Sequence, residues 1–373
     1  MNGVREVLVV AGEASGDLHA AGVLAALHRI RPELRVAAVG GSRMQREGAE
    51  LIEHVDALAV MGFVEVLKHV PKHAALLRTL TRRLRGGGVA LLVLVDYPGF
   101  NMKLAAAATA AGVPVLYYIT PQVWAWGAGR LERIARTVTR AAVILPFEED
   151  LLRQHGCDAT FVGHPLLDRM TTLPERAEAR RELGLDERRP VLALFPGSRA
   201  QEIARHLDDF VATARELERR VPGLQVVVSV APTVTLDASR CPYPMVHSAS
   251  LMVLRAASAA MCKSGTTTLE AAVAECPLVV AYRTNALTYA IARRLVKIPD
   301  IGLVNVVAGH RVAPEFVQRA LVPADVATAL EPLLDDRSPA RTVMLAGLAD
   351  VRGKLGTPGA AERVARMASD LVA

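Results

Sequence analysis

The chain has 373 residues, 51% of them hydrophobic and 22% charged, with 27 Gly and 21 Pro. That length predicts two domains, and that composition excludes disorder, collagen and coiled coil. A formal net charge of +6 points to an anionic partner, whereas an aromatic content of 4% speaks against stacking on single-stranded nucleic acid.

Residues 4–11 form an apolar run of strand length, followed by a Gly-containing loop and a helical stretch over 18–31. Between residues 61 and 85 the only acid is Glu65, against Lys68, Lys72, Arg78, Arg82, Arg83 and Arg85. A break is expected at Pro71. Beyond it Leu77, Leu80 and Leu84 recur at i, i+3 and i+7, giving an apolar stripe beside basic positions. Such a stripe faces either the domain core or an anionic membrane surface, and the apolar residues from Met61 to Leu67 would extend the same rim. Strands follow at 90–95 and 113–118, each flanked by helical segments, which argues for a parallel sheet covered on both faces. Residues 163–189 read as a linker with a charged helix over 175–183. A second α/β series then places strands at 191–195, 225–230, 259–263 and 278–282. The expected domains are 1–165 and 166–339, with a helical tail, 340–373, able to pack back on the first. Cys157, Cys241, Cys262 and Cys276 lack metal-ligand or redox spacing and read as reduced core residues. No apolar run approaches the roughly 20 residues of a spanning helix, and residues 1–12 lack the plan of a signal peptide, so a cytoplasmic protein is expected.

Ligands of open α/β sheets bind beyond the carboxyl ends of the strands, which directs attention to the loops there. Gly12-Glu13-Ala14-Ser15-Gly16-Asp17 turns sharply at two glycines but lacks the three-glycine dinucleotide pattern. Glu13 and Asp17 would repel a pyrophosphate, so the loop suits a sugar or hydroxyl ligand; alternatively it is a βα turn capped by Ser15 or Asp17. His19 is either a base near the helix start or an ordinary surface histidine. Pro196-Gly197-Ser198-Arg199 follows a strand and offers a turn, a helix start and a guanidinium to a phosphate, unless Arg199 only pairs with Glu202. Ser264-Gly265-Thr266-Thr267 makes a second anion cradle, with Glu270 placed either to read ribose hydroxyls or to close a capping box. Two cradles in one half suggest a diphosphate. Asp96, ending the most apolar strand, is a candidate general base or a partner of the Pro98-Gly99 turn. Gln122, Trp124 and Trp126 sit in the next loop, the tryptophans serving either as core or as an aromatic wall. Without an Asp-x-Asp pair or a ligand cluster, no metal or other cofactor is expected.

Taken together these loops resemble the bacterial lipid-A-disaccharide synthases. The resemblance runs from Val9 to about Gln318, through the Gly12 to Asp17 loop, Met61-Gly62-Phe63-Val64-Glu65-Val66-Leu67, Pro121-Gln122-Val123-Trp124-Ala125-Trp126, Phe161-Val162-Gly163-His164-Pro165, Pro196-Gly197-Ser198-Arg199 and Ser264-Gly265-Thr266. It implies a GT-B glycosyltransferase fold, two Rossmann-like domains facing each other across a cleft, with acceptor on the first and UDP-sugar donor on the second. It also implies an inverting, metal-independent transfer from UDP-diacylglucosamine to diacylglucosamine 1-phosphate, yielding the lipid A disaccharide precursor and UDP. Asp96 matches the family's essential carboxylate, with His19 as second candidate. Ser198, Arg199, Ser264, Gly265, Thr266, Thr267, Glu270 and Asn305 fall to the donor, and Glu13, Ser15, Asp17, Gln122, Trp124, Glu315 and Gln318 to the acceptor and cleft. Gly99 stands where many members carry a second Asp, and Val304 where many carry Pro, leaving Asp96 as the single carboxylate.

The implied partners are the two lipid substrates and the anionic inner face of the inner membrane, on which the basic, leucine-striped segment is then expected to lie, with no nucleic acid; a homodimer is compatible with the reading. A UDP-sugar 2-epimerase on the same fold is the main alternative, and a non-catalytic UDP-sugar-binding protein would dispense with Asp96.

Overall fold

The computed structural model describes residues 6–58, 63–126, 129–285, 289 and 299–372. The chain divides into two compact units, Met1–Pro165 with Gly356–Ala373, and Leu166–Leu355. Each is built on one parallel sheet. In the first, β1 (Glu6–Ala11), β2 (Arg35–Gly40), β3 (Glu50–His54), β4 (Val89–Val95), β5 (Val115–Tyr118), β6 (Arg140–Val143) and β7 (Ala159–Phe161) lie in the order β3-β2-β1-β4-β5-β6-β7. In the second, β8 (Val191–Phe195), β9 (Gln225–Val230), β10 (Met245–His247), β11 (Ala259–Lys263), β12 (Leu278–Tyr282) and β13 (Glu315–Val317) lie in the order β10-β9-β8-β11-β12-β13. Both orders reverse direction once, between β1 and β4 and between β8 and β11. At those points Ala11 lies opposite Val95, and Phe195 opposite Cys262.

The central strands are continuous apolar runs because both of their faces are covered. Successive side chains of β1 divide between two cores. Leu8 and Val10 join Leu92, Leu94, Leu104 and the helix Phe63–Arg85 on one face. Val7 and Val9 join Val93, Leu24 and Leu27 on the other, together with Val364 and Met367 of the helix Ala360–Leu371. The strands that apolar runs did not single out include the edge elements Glu50–His54 and Glu315–Val317, which are charged or short, and the interior strand Arg35–Gly40.

Two expectations are corrected. The helix Phe63–Arg85 runs through Pro71 without a break. Pro71 is exposed, so water can take over the carbonyl whose N–H partner the proline removes. The leucine stripe faces the core: Leu80 and Leu84 are 0% and 1% exposed, and Leu77 packs against them. The stripe therefore does not lie in a membrane surface, while Arg78, Arg82 and Arg85 remain exposed. The apolar side chains from Met61 to Leu67 lie outside the described residues.

The tail also divides. The helix Pro339–Lys354 belongs to the second unit, and only Ala360–Leu371 packs on the first. There it crosses the helix Ala14–Ile30 where Gly22 allows a close approach to Ala361, Arg29 pairs with Glu362, and Arg31 donates to the carbonyl of Ser369.

Candidate active site

In the first unit the candidate residues gather at the strand ends flanking the β1/β4 reversal. Glu13 is the N-cap of Ala14–Ile30, and neither Ser15 nor Asp17 caps that helix. Glu13 and Ser15 are exposed, whereas Asp17 is 2% exposed. Its carboxylate accepts from the backbone N–H groups of Gly41 (2.7 Å), Met44 (3.1 Å) and Arg43 (3.3 Å), pinning the start of the helix Ser42–Arg46. Asp17 is thus an anchor between two βα loops, with its carboxylate engaged by backbone N–H groups. The ring of Tyr97 covers Gly12 so closely that a Cβ there would lie 2.2 Å from ring carbons.

Asp96 and Tyr97 adopt left-handed φ angles of 47° and 53°, a conformation that costs non-glycine residues on the order of 1 kcal/mol each. The carbonyl of Asp96 accepts from Asn101 Nδ2 at 2.7 Å and from the Tyr117 hydroxyl at 2.9 Å, and its N–H reaches the carbonyl of Tyr118 at 3.1 Å. Burial, then the nearby charge of Glu13, pushes the Asp96 carboxyl above the usual carboxylate range, against the pull of the Tyr97 backbone N–H. Ile119, one strand over, is left-handed as well (φ 58°). His19 meets Tyr118 edge-on, with ring centres 6.4 Å apart. His164 is buried, and desolvation followed by His19 pushes its pKa down to about 3, so it stays neutral.

Gln122 is exposed. The ring of Trp124 packs edge-on against Phe147, at 5.3 Å, and is only partly buried. Its Nε1 donates to Glu148 Oε1 at 3.1 Å, and Glu148 Oε2 accepts from the N–H of Leu145, also at 3.1 Å. Burial pushes the Glu148 carboxyl up to about 7, opposed by these two donors. The side chain of Trp126 lies outside the described residues.

In the second unit the two cradles flank the β8/β11 reversal. Arg199 and Ser198 are exposed at the start of the helix Ala200–Arg220. Glu202 turns away from Arg199: its carboxylate accepts from the Ser198 N–H at 3.0 Å and pairs with Lys263 Nζ at 2.9 Å. Gly197 has a φ of 145°, and a Cβ on it would meet that of Glu202 at 2.5 Å, so this turn requires glycine. Thr266 is the N-cap of Thr267–Val273 without a side-chain bond, so the capping box with Glu270 does not form. Glu270 instead accepts from Ser250 and pairs with Arg169 at 3.6 Å; burial, more than these partners, sets its raised pKa. Ser264 Oγ donates to the carbonyl of Ile301 at 2.7 Å, and Gly265 has a φ of 150°.

Asn305, Glu315 and Gln318 all lie in this second unit, and their polar atoms are engaged within the chain. Asn305 donates to the carbonyl of Ala313 and to Glu315, and accepts from the N–H groups of Val312 and Ala313. Glu315 accepts from the N–H groups of Ile301 and Gly302, pinning the start of the helix Leu303–Ala308. Gln318 exchanges two bonds with the backbone of Thr284. The structure brings Asn305 and Glu315 together as a brace, with Glu315 and Gln318 outside the first unit to which the acceptor was assigned.

Sequence reasoning passed over Tyr97, Asn101, Tyr117, Glu148 and Lys263. Lys263 was legible as a cation closing a strand beside a glycine cradle. The others become visible only through the contacts they make in the fold.

A family model described as lipid-A-disaccharide synthetase matches residues 7–349. This chain belongs to that family. It is similar over its whole length to the lipid-A-disaccharide synthase of Myxococcus xanthus, at 41% identity, covering 99% of that protein. Its fold is similar to those of the glycotransferase of kitacinnamycin (TM-score 0.65, 15% identity, 98% of each chain) and of Methanocaldococcus jannaschii UDP-GlcNAc 2-epimerase (TM-score 0.61, 11% identity, 98% of this chain and 99% of that one). At such identities the likeness establishes the fold alone, which is GT-B, and does not separate transferase from epimerase; membership of the synthetase family does. Among the described residues no helix is long and apolar enough to cross a membrane.

Proposed function

We propose that this family member transfers the diacylglucosaminyl group of UDP-diacylglucosamine to the primary hydroxyl of diacylglucosamine 1-phosphate by a single displacement with inversion. The first unit holds the acceptor, with Glu13, Ser15 and Gln122 at its exposed strand ends. The second holds the donor. Asp96 removes the hydroxyl proton as the acceptor oxygen bonds to the anomeric carbon. The bond to the UDP oxygen breaks in the same step, and UDP leaves with the electron pair. The observation that carries this reading is Asp96 itself, a left-handed carboxylate at a sheet reversal, whose burial raises its pKa above the usual carboxylate range and so makes it a stronger base than an exposed carboxylate. Arg199, with Ser198 and the turn Ser264 to Thr267, takes up the charge that develops on the diphosphate, with no divalent metal. Glu270 reads the ribose, and Asn305 and Glu315 brace the neighbouring loop. The enzyme works at the inner face of the inner membrane, with Arg78, Arg82 and Arg85 facing anionic lipid.

Replacing Asp96 by Asn is expected to lower turnover by at least about a hundredfold, the scale of a lost general base, with UDP affinity nearly unchanged. Arg199→Ala is expected to weaken UDP binding. Retention of most activity by Asp96→Asn would move the base to His19. Loss of activity to a chelator, restored by magnesium or manganese, would refute the metal-independent step.

A further inference from the structure

The turn that presents Asp96 contains two successive left-handed, non-glycine residues, a conformation that costs the tyrosine in particular. Three attachments hold it. The first fixes the Asp96 carbonyl through Asn101 and Tyr117. The second is the ring of Tyr97, laid over Gly12 and against Phe100 at 5.8 Å between ring centres. The third is the Tyr97 hydroxyl, which shares a hydrogen bond of 2.6 Å with His73 Nε2 on the helix Phe63–Arg85. The carbonyl attachment alone leaves the peptide free to pivot about it. Fixing the following residue as well sets the direction of the Asp96 Cα–Cβ bond, and with it the carboxylate.

We infer that Tyr97 is a positioning residue that aims the Asp96 carboxylate at the acceptor hydroxyl, and that its bond to His73 makes the helix Phe63–Arg85 part of that support. The inference rests on the reading of Asp96 as the base. The Tyr97 ring alone can tilt about Gly12 when its hydroxyl has no partner. The bond to His73 removes that freedom, and a carboxylate misplaced by a fraction of an ångström loses rate without losing substrate binding.

The test uses the full chain with both lipid substrates. Tyr97→Phe, which keeps the ring, is expected to lower kcat about tenfold with the KM of both substrates within twofold and the melting temperature nearly unchanged. His73→Leu should do the same from the other side. The double variant should be no worse in kcat than the worse single one, since both lose the same shared bond, and His73→Gln, whose amide can still bond the hydroxyl, should keep most of the rate. The acidic limb of the kcat profile should move to lower pH in Tyr97→Phe, because a loosened Asp96 gains water. Tyr97→Phe or His73→Leu keeping kcat within twofold, additive losses in the double variant, or a rise in KM and a fall in melting temperature together with the loss of kcat would each overturn the inference. If Asp96→Asn itself keeps most of its activity, the base assignment fails and takes this inference with it.

Discussion

Gly12 and Tyr97 compete for one volume, since a Cβ on the first would lie 2.2 Å from the ring of the second. Gly12→Ala is therefore expected to destabilise the first unit by about 1–3 kcal/mol, the range for overpacking. In a Tyr97→Ala background the same change should cost little, because the ring is gone. Denaturant unfolding of the four proteins checks this, and equal costs in the two backgrounds would disprove the contact. Glu148 gives a pH prediction. It is 4% exposed and its carboxyl is pushed up to about 7 from the usual 4.5. The folded chain thus binds this proton more tightly than the unfolded chain does. Its contribution to stability is fully present below pH 4.5 and is lost as pH rises through 7, on the order of 3 kcal/mol in all. The advantage of the wild type over Glu148→Gln should shrink between pH 5 and 8, and a difference constant over that range would exclude the shift. Neither residue announced this in the sequence. Gly12 was legible as a turn, but what lies on it comes from 85 positions away, and Glu148 drew no reading from the sequence.

At the scale of elements, the helix Phe63–Arg85 shows what periodicity can and cannot decide. The spacing of Leu77, Leu80 and Leu84 established a single apolar face, and the structure sends that face into the core beside Leu92 and Leu104. A stripe reports its own geometry and says nothing of what will cover it. Leu80→Ala should cost about 2–5 kcal/mol, as for other buried leucines. Changing Arg78, Arg82 and Arg85 to Gln should leave stability intact while weakening salt-sensitive binding to anionic vesicles. Equal binding of wild type and triple variant would show these arginines to be ordinary surface. The strands β8, β9, β11 and β12 were readable to the residue because they are apolar but for Gln225, Ser229 and Lys263, whereas the edge strands depend on neighbours for their pairing. The loops of the site were readable for a related reason, as polar and glycine-rich segments directly after apolar strands. The direction of each side chain was not. Asp17 spends its carboxylate on residues 41–44, and Gln318 its amide on Thr284, partners that no local window contains.

For the whole molecule, the division into two units was legible from the second α/β series opening at Val191, and the split of the tail was not, because both tail helices are amphipathic and either sheet could receive them. The second unit is one continuous stretch, Leu166–Leu355. Expressed alone it is expected to fold and bind UDP, as measured by calorimetry. The first unit, cut at Pro165, lacks Val364, Ala365 and Met367 from one of its two cores. It should be poorly soluble unless a peptide of residues 356–373 is supplied, and a stable, monomeric 1–165 fragment would contradict that. The returning helix also has a temporal consequence. On the ribosome the first unit is begun first, yet the helix that closes its sheet face is synthesised only after the entire second unit. At about 5–20 residues per second the interval is roughly 10–40 s. For that time the nascent chain carries an open apolar groove while the second unit is still being made, which makes the groove the natural point of engagement for a chaperone during translation.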